Sequence, residues 1–190
     1  MSERKSRLVE IVKAQALTHL PQPVQLASGD WSSDFVDAKR ALANGKDLAL
    51  ACRALLELAE DNGVTFGAVG GMTLGADQFS HGIAVLVGCD WFVVRKAPKG
   101  RGTNQRVEGT ALGPGRRVLV IDDVVTRGTS LLDACAVVRE AGAEIAAAMA
   151  LVDRGEVARP LFDADSIPYY SLFTYHDLGI EPVGESPTPA

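Results

Sequence analysis

Residues 118–130 read VLVIDDVVTRGTS and combine groups that can do chemistry together. Val118, Leu119, Val120 and Ile121 form a short apolar run, the pattern of a strand covered on both faces. Two acids, Asp122 and Asp123, follow it. After Val124 and Val125 comes the turn Thr126-Arg127-Gly128-Thr129-Ser130, which opens a helix. In an open parallel sheet, ligands bind where strands end and the chain leaves for the next helix, and the acids are expected at that point. Glycine lets the turn approach a ligand closely, and its N–H groups with the helix N-terminus form an anion site. Thr126, Thr129 and Ser130 add hydroxyl donors. A loop for a phosphate, beside two carboxylates for vicinal hydroxyls, suits a sugar phosphate. No Gly-Lys-Ser/Thr follows the glycine, so this is not a Walker loop. Ser130 and Asp133 also fit a capping box with the shorter acid.

The whole pattern resembles the phosphoribosyl pyrophosphate (PRPP) motif of type I phosphoribosyltransferases. In that family the acids hold the ribose 2′ and 3′ hydroxyls and the loop binds the 5′-phosphate. The resemblance implies that Asp122 and Asp123 bind ribose and act in catalysis. It also implies that Val124, Val125, Thr126, Arg127, Gly128, Thr129 and Ser130 line the donor site. It further implies an α/β fold: a central, mainly parallel sheet flanked by helices, with a small hood and a flexible loop.

Residues 95–109, RKAPKGRGTNQRVEG, carry the cations Arg95, Lys96, Lys99, Arg101 and Arg106. Pro98, Gly100, Gly102 and Gly109 argue against a regular element there. Such a composition fits a solvated surface loop. It also fits a loop that stabilises a departing pyrophosphate and excludes water. A charge pair at 4 Å is worth about 1 kcal/mol in bulk water and about 4 kcal/mol at an effective dielectric near 20, so such cations act mainly once a loop closes. The segment resembles the catalytic loop of orotate phosphoribosyltransferases, Arg-Lys-x-x-Lys-x-His-Gly. Arg95, Lys96, Lys99 and Gly102 match it, and Arg101 replaces the usual His. The resemblance implies that Arg95, Lys96, Lys99 and Arg101 bind PRPP, with Lys99 catalytic. Arg101 can donate hydrogen bonds but cannot carry a proton near neutral pH.

Three further stretches extend the likeness. Ser28-Gly29, Ser32 and Phe35-Val36-Asp37 resemble the segment whose aromatic packs on orotate, which points to Phe35; Ala27 stands where many members have Lys. Residues 69–76, VGGMTLGA, resemble the pyrophosphate turn, with Leu74 where some members have Lys. Val152-Asp153-Arg154 resembles a strand end whose Arg faces the pyrimidine. The resemblance therefore implies an orotate site of Phe35, Thr126 and Arg154. The implied reaction is transfer of phosphoribosyl from PRPP to orotate, giving orotidine 5′-monophosphate and pyrophosphate in pyrimidine nucleotide synthesis. Mg²⁺ is expected on the donor rather than in a protein cage, and a homodimer is expected. Two alternatives stay open: a phosphoribosyltransferase for a purine or uracil, and a PRPP-binding regulator without catalysis.

The elements that must position these residues alternate. Helices are expected over residues 3–17, 47–62, 78–87, 131–141 and 158–162. Strands are expected over 24–27 with a continuation at 35–36, and over 66–70, 91–94, 118–121, 145–152 and 169–173. Strand–helix alternation predicts a parallel sheet with helices on both faces. The 190 residues suit one domain, expected over 1–180 and including an N-terminal hood segment. Residues 181–190, with three prolines and no apolar pattern, are expected to be a disordered tail. A net charge of −5 gives no general attraction to nucleic acid or anionic membrane. The polar start carries no signal-peptide pattern, and no apolar run is long enough to span a membrane. Cys52, Cys89 and Cys135 fit neither a disulfide framework nor a zinc site, and point to reduced thiols in the cytoplasm. His19, His81 and His176 are too far apart for a local metal-binding spacing.

Overall fold

A computed structural model of the chain describes residues 3–97 and 106–184. In chain order it gives α1 (Glu3–Gln15), β1 (Leu17–Gln25), β2 (Trp31–Val36), α2 (Ala38–Ala41) and α3 (Gly45–Asp61). Then follow β3 (Ala68–Met72), α4 (Asp77–Val87), β4 (Asp90–Val94), β5 (Val107–Gly109), β6 (Arg117–Val125) and α5 (Thr129–Glu140). The last elements are β7 (Glu144–Asp153), α6 (Ala158–Ala164), β8 (Tyr169–Thr174) and α7 (Tyr175–Leu178). No helix among the described residues is long and apolar enough to cross a membrane.

The main sheet has the order β5-β4-β3-β6-β7-β8. Its strands run parallel except β5, which pairs antiparallel with β4 at the edge. Val118, Leu119, Val120 and Ile121 are fully buried because both faces of β6 are covered. One face packs α1, α2, α3 and α4 through residues such as Leu8, Ala38, Leu55 and Phe79. The other packs α5 and α6 through Leu131, Cys135, Val138 and Phe162. The α3 helix owes its start to Asn44, whose side chain accepts the Lys46 N–H at 2.8 Å. Its apolar stripe of Ala51, Cys52, Leu55 and Ala59 faces the core.

From β3, the chain passes through α4 to β4 on one side. From β6, it passes through α5 to β7 on the other. The crevice beyond the carboxyl ends of β3 and β6 is therefore the point where the winding reverses, the position at which such sheets bind ligands.

Several expectations change. The first strand begins at Leu17, well before residue 24, despite Pro21 and Pro23. It pairs only with β2, in a separate two-stranded sheet, and its register shifts between His19 and Val24, so the prolines interrupt no central ladder. Residues 107–109 form β5, although Gly109 argued against a regular element; its φ of +98° is one that glycine adopts readily. The acids Asp122 and Asp123 lie within β6 rather than after it, because β6 continues to Val125. The Ser130–Asp133 capping box does not form: Gly128 occupies the N-cap of α5 with no side-chain cap, and Asp133 instead holds Arg106 with bonds of 3.0 and 2.5 Å. The packed chain also extends past residue 181, since Val183 is buried and its N–H donates to Arg154 O at 2.8 Å. Lys99 and Arg101 lie outside the described residues.

Candidate active site

The β6 strand delivers its two acids to the crevice, each 8% exposed. Asp122 Oδ1 accepts the Asp123 N–H at 2.9 Å, and Asp123 Oδ1 accepts the Val124 N–H at 2.8 Å. Asp123 Oδ2 accepts from Lys39 Nζ at 2.9 Å. Burial, reinforced by the neighbouring Asp123 charge, pushes the Asp122 carboxyl up to about 7. The turn after β3 closes on this pair. A Cβ added to Gly75 would sit 2.3 Å from Asp122 Oδ1 and 2.7 Å from Asp123 Oδ1. One at Gly71 would sit 2.0 Å from Ile121 O. Glycine is required at both positions by close approach.

A small pocket of about 100 Å³ lies beside the acids. Asp122, the turn 124–131, Ala27 and Ser28 line it. Gly128, with φ +79°, turns the chain into α5 and frees the N–H groups of the first helical turn. The geometry is that of a phosphate-sized cradle with a carboxylate at its edge. Arg127 does not point its fork into an open site. Its Nε and Nη2 donate to Asp30 Oδ2 and Oδ1 at 2.8 and 2.5 Å, which ties the cradle to the turn between β1 and β2.

Phe35, expected to pack on a base, is 45% exposed on β2. Arg154 is only 2% exposed. Its Nη1 donates to Asp34 O at 2.9 Å and its Nη2 to Ser32 Oγ at 3.1 Å, while its buried Nε has no hydrogen-bond partner among the described residues. Arg154 thus holds the strand that carries Phe35.

An open cleft of about 450 Å³ runs along Thr73, Leu74, Arg95, Lys96 and Ala97. The basic segment leaves and returns at its edge. Arg95 N–H donates to Arg106 O at 2.7 Å, and Arg106 Nε to Arg95 O at 3.0 Å, so the two ends of this segment are joined. Arg95 also pairs with Glu108 at 3.6 Å. Leu74 is 71% exposed at the cleft and supplies no charge. Sequence reading did not single out Lys39 or Asp30, whose partners lie 84 and 97 residues away, and no local pattern marks either one.

The profile of the phosphoribosyl transferase domain matches residues 40–172. The orotate phosphoribosyltransferase of Aquifex aeolicus is 39% identical over 184 residues, covering 94% of this chain and 98% of that one. That of Corynebacterium glutamicum is 38% identical, covering 94% and 96%. The chain belongs to the orotate phosphoribosyltransferase family. The orotate phosphoribosyltransferase of Mycobacterium tuberculosis, solved with Fe(III) dicitrate, superimposes with a TM-score of 0.80 at 35% identity, covering 93% of this chain and 99% of that one. The same enzyme solved with PRPP gives 0.77 at 33%, with the same coverage. Membership confirms the α/β fold with its mostly parallel sheet between helices. Ala27 lines the small pocket beside the acids and Leu74 the open cleft, and neither supplies a charge.

Proposed function

We propose that this chain transfers the phosphoribosyl group from PRPP to orotate, giving orotidine 5′-monophosphate and pyrophosphate, a step of pyrimidine nucleotide synthesis. The observation that carries this reading is the shared wall of one phosphate-sized pocket: Asp122 and the turn 124–131 line it together, at the switch point of the sheet. The near-full-length likeness to orotate phosphoribosyltransferases supports orotate as the base.

In this reading the 5′-phosphate accepts hydrogen bonds from the N–H groups and hydroxyls of Thr126, Arg127, Gly128, Thr129 and Ser130. Arg127 contributes through its backbone, because its guanidinium is engaged by Asp30. Val124 and Val125 set the apolar wall between the acids and the loop. Asp122 and Asp123 accept from the ribose hydroxyls, and their negative charge favours the oxocarbenium character that grows on the sugar. Phe35 packs on the orotate ring, Thr126 contacts its edge, and Arg154 orders the base side through β2. Arg95, Lys96, Lys99 and Arg101 receive the pyrophosphate. As the bond from C1′ to the pyrophosphate oxygen breaks, the electron pair leaves on that oxygen, the new bond forms from the orotate ring nitrogen, and the proton which that nitrogen gives up passes to the departing pyrophosphate. Lys99 is assigned the leaving-group role.

The donor set fits Mg²⁺ carried by PRPP itself. The site offers two carboxylates, Asp122 and Asp123, whose hard oxygen donors suit Mg²⁺. Asp122 and Asp123 would hold the ion indirectly, through the ribose hydroxyls, and its charge would neutralise pyrophosphate oxygens. The working form is a cytoplasmic homodimer whose basic segment serves the neighbouring site. Neither nucleic acid nor membrane is a partner.

The test is the fall in orotate absorbance on mixing protein, PRPP and Mg²⁺. Orotate-dependent turnover is expected. Clean turnover of a purine or uracil with none of orotate would reject the base. Donor binding without turnover of any base would point to a regulator.

A further inference from the structure

The β2–α2 segment brings a cation to the acid pair that the reaction scheme above does not use. Ala38 and Ala41 are fully buried and seat α2 against the core, so Lys39 between them is fixed at its backbone. Its side chain stays about half exposed and reaches Asp123 Oδ2 at 2.9 Å. Asp37, on the same segment, and Asp122, on β6, are the other charges near its ammonium group.

We propose that Lys39 is a positioning residue for PRPP binding, holding the Asp123 carboxylate in the orientation that accepts a ribose hydroxyl. This rests on the donor-site reading above. The geometry is specific. Asp123 Oδ1 is engaged by the Val124 N–H and Oδ2 by Lys39 Nζ, so both oxygens are anchored and the carboxylate cannot rotate freely. Each oxygen keeps further acceptor capacity, since an ionised carboxylate offers about four lone-pair sites. Those remaining sites are what a vicinal diol needs. Phe35 and Lys39 belong to one short stretch of chain, so the strand that carries the base wall also leads into the helix that carries this clamp.

The experiment compares wild type, Lys39→Met and Lys39→Arg by calorimetric titration with ribose 5-phosphate and, separately, with pyrophosphate. Lys39→Met is expected to weaken ribose 5-phosphate roughly tenfold, the size of one charge-assisted hydrogen bond. Pyrophosphate affinity should move less than about twofold, because that anion lacks the diol. Lys39→Arg should recover most of the loss. In turnover assays the KM for PRPP should rise more than kcat falls. Unchanged ribose 5-phosphate affinity in Lys39→Met overturns the role. An equal loss for pyrophosphate does so too, since Lys39 would then be a plain anion contact. If wild type binds neither ligand, the donor-site reading fails and takes this role with it. Melting curves check that Lys39→Met folds; if it does not, the weaker binding must appear in Lys39→Gln for the proposal to stand.

Discussion

Asp122 is buried beside a second carboxylate, so folding favours its neutral form while ribose binding calls for acceptors. Burial beside Asp123 raises the Asp122 carboxyl from its ordinary 3.8 to about 7. Between those values the native state binds more protons than the unfolded chain, and stability falls as pH rises through the window. Asp122→Asn should remove that slope. We expect the ligand-free variant to melt roughly 3–6 °C higher than wild type at pH 8, with little difference at pH 4. Turnover should fall by about a hundredfold or more. Parallel melting curves for the two proteins across this range would count against the argument. Gly75→Ala tests the other wall. The added Cβ meets both carboxylates, so PRPP affinity should drop at least tenfold and stability by about 1–3 kcal/mol. At this scale the acid pair and the turn after it were legible as a sequence pattern, because residue type and local spacing mark them. Lys39 and Asp30 were not, because each acts through a partner that only the fold brings near.

The Arg127–Asp30 pair joins the cradle to the β1–β2 turn, and Arg154 grips the same hairpin farther along. The hydrogen bond from Arg127 holds the Asp30 carboxyl below its usual range. Asp30→Asn should loosen the hairpin. Hydrogen exchange at residues 26–32 should quicken while exchange in β6 stays slow; unchanged exchange at the turn would show that the pair is not what holds it. The strands β3, β4, β7 and β8 and the helices α3, α4, α5 and α6 were legible because buried parallel strands and amphipathic helices write their period into the chain. The β1 strand was masked by prolines that an edge tolerates, and β5 by a glycine and its three-residue length. The acids were expected past the strand end because their polarity hides the last four residues of β6, which are held by pairing with β7: Asp122 opposite Ala150 and Val124 opposite Val152.

The order β5-β4-β3-β6-β7-β8 places a crevice where two glycine-bearing turns face each other, and no single motif reveals that juxtaposition. If the basic segment serves a neighbouring subunit, Lys99→Ala and Asp122→Asn proteins, each nearly inactive, should complement when mixed. Random exchange makes half of the dimers hybrid, each with one complete site, so activity should recover to roughly a quarter of wild type. No recovery after proven exchange would place the segment over its own site. The most direct measurement is a crystal structure with PRPP bound. The 5′-phosphate should lie within hydrogen-bond reach of the Thr126–Ser130 backbone, with the ribose hydroxyls on Asp122 and Asp123. A donor seated elsewhere, with these two carboxylates untouched, would contradict this placement.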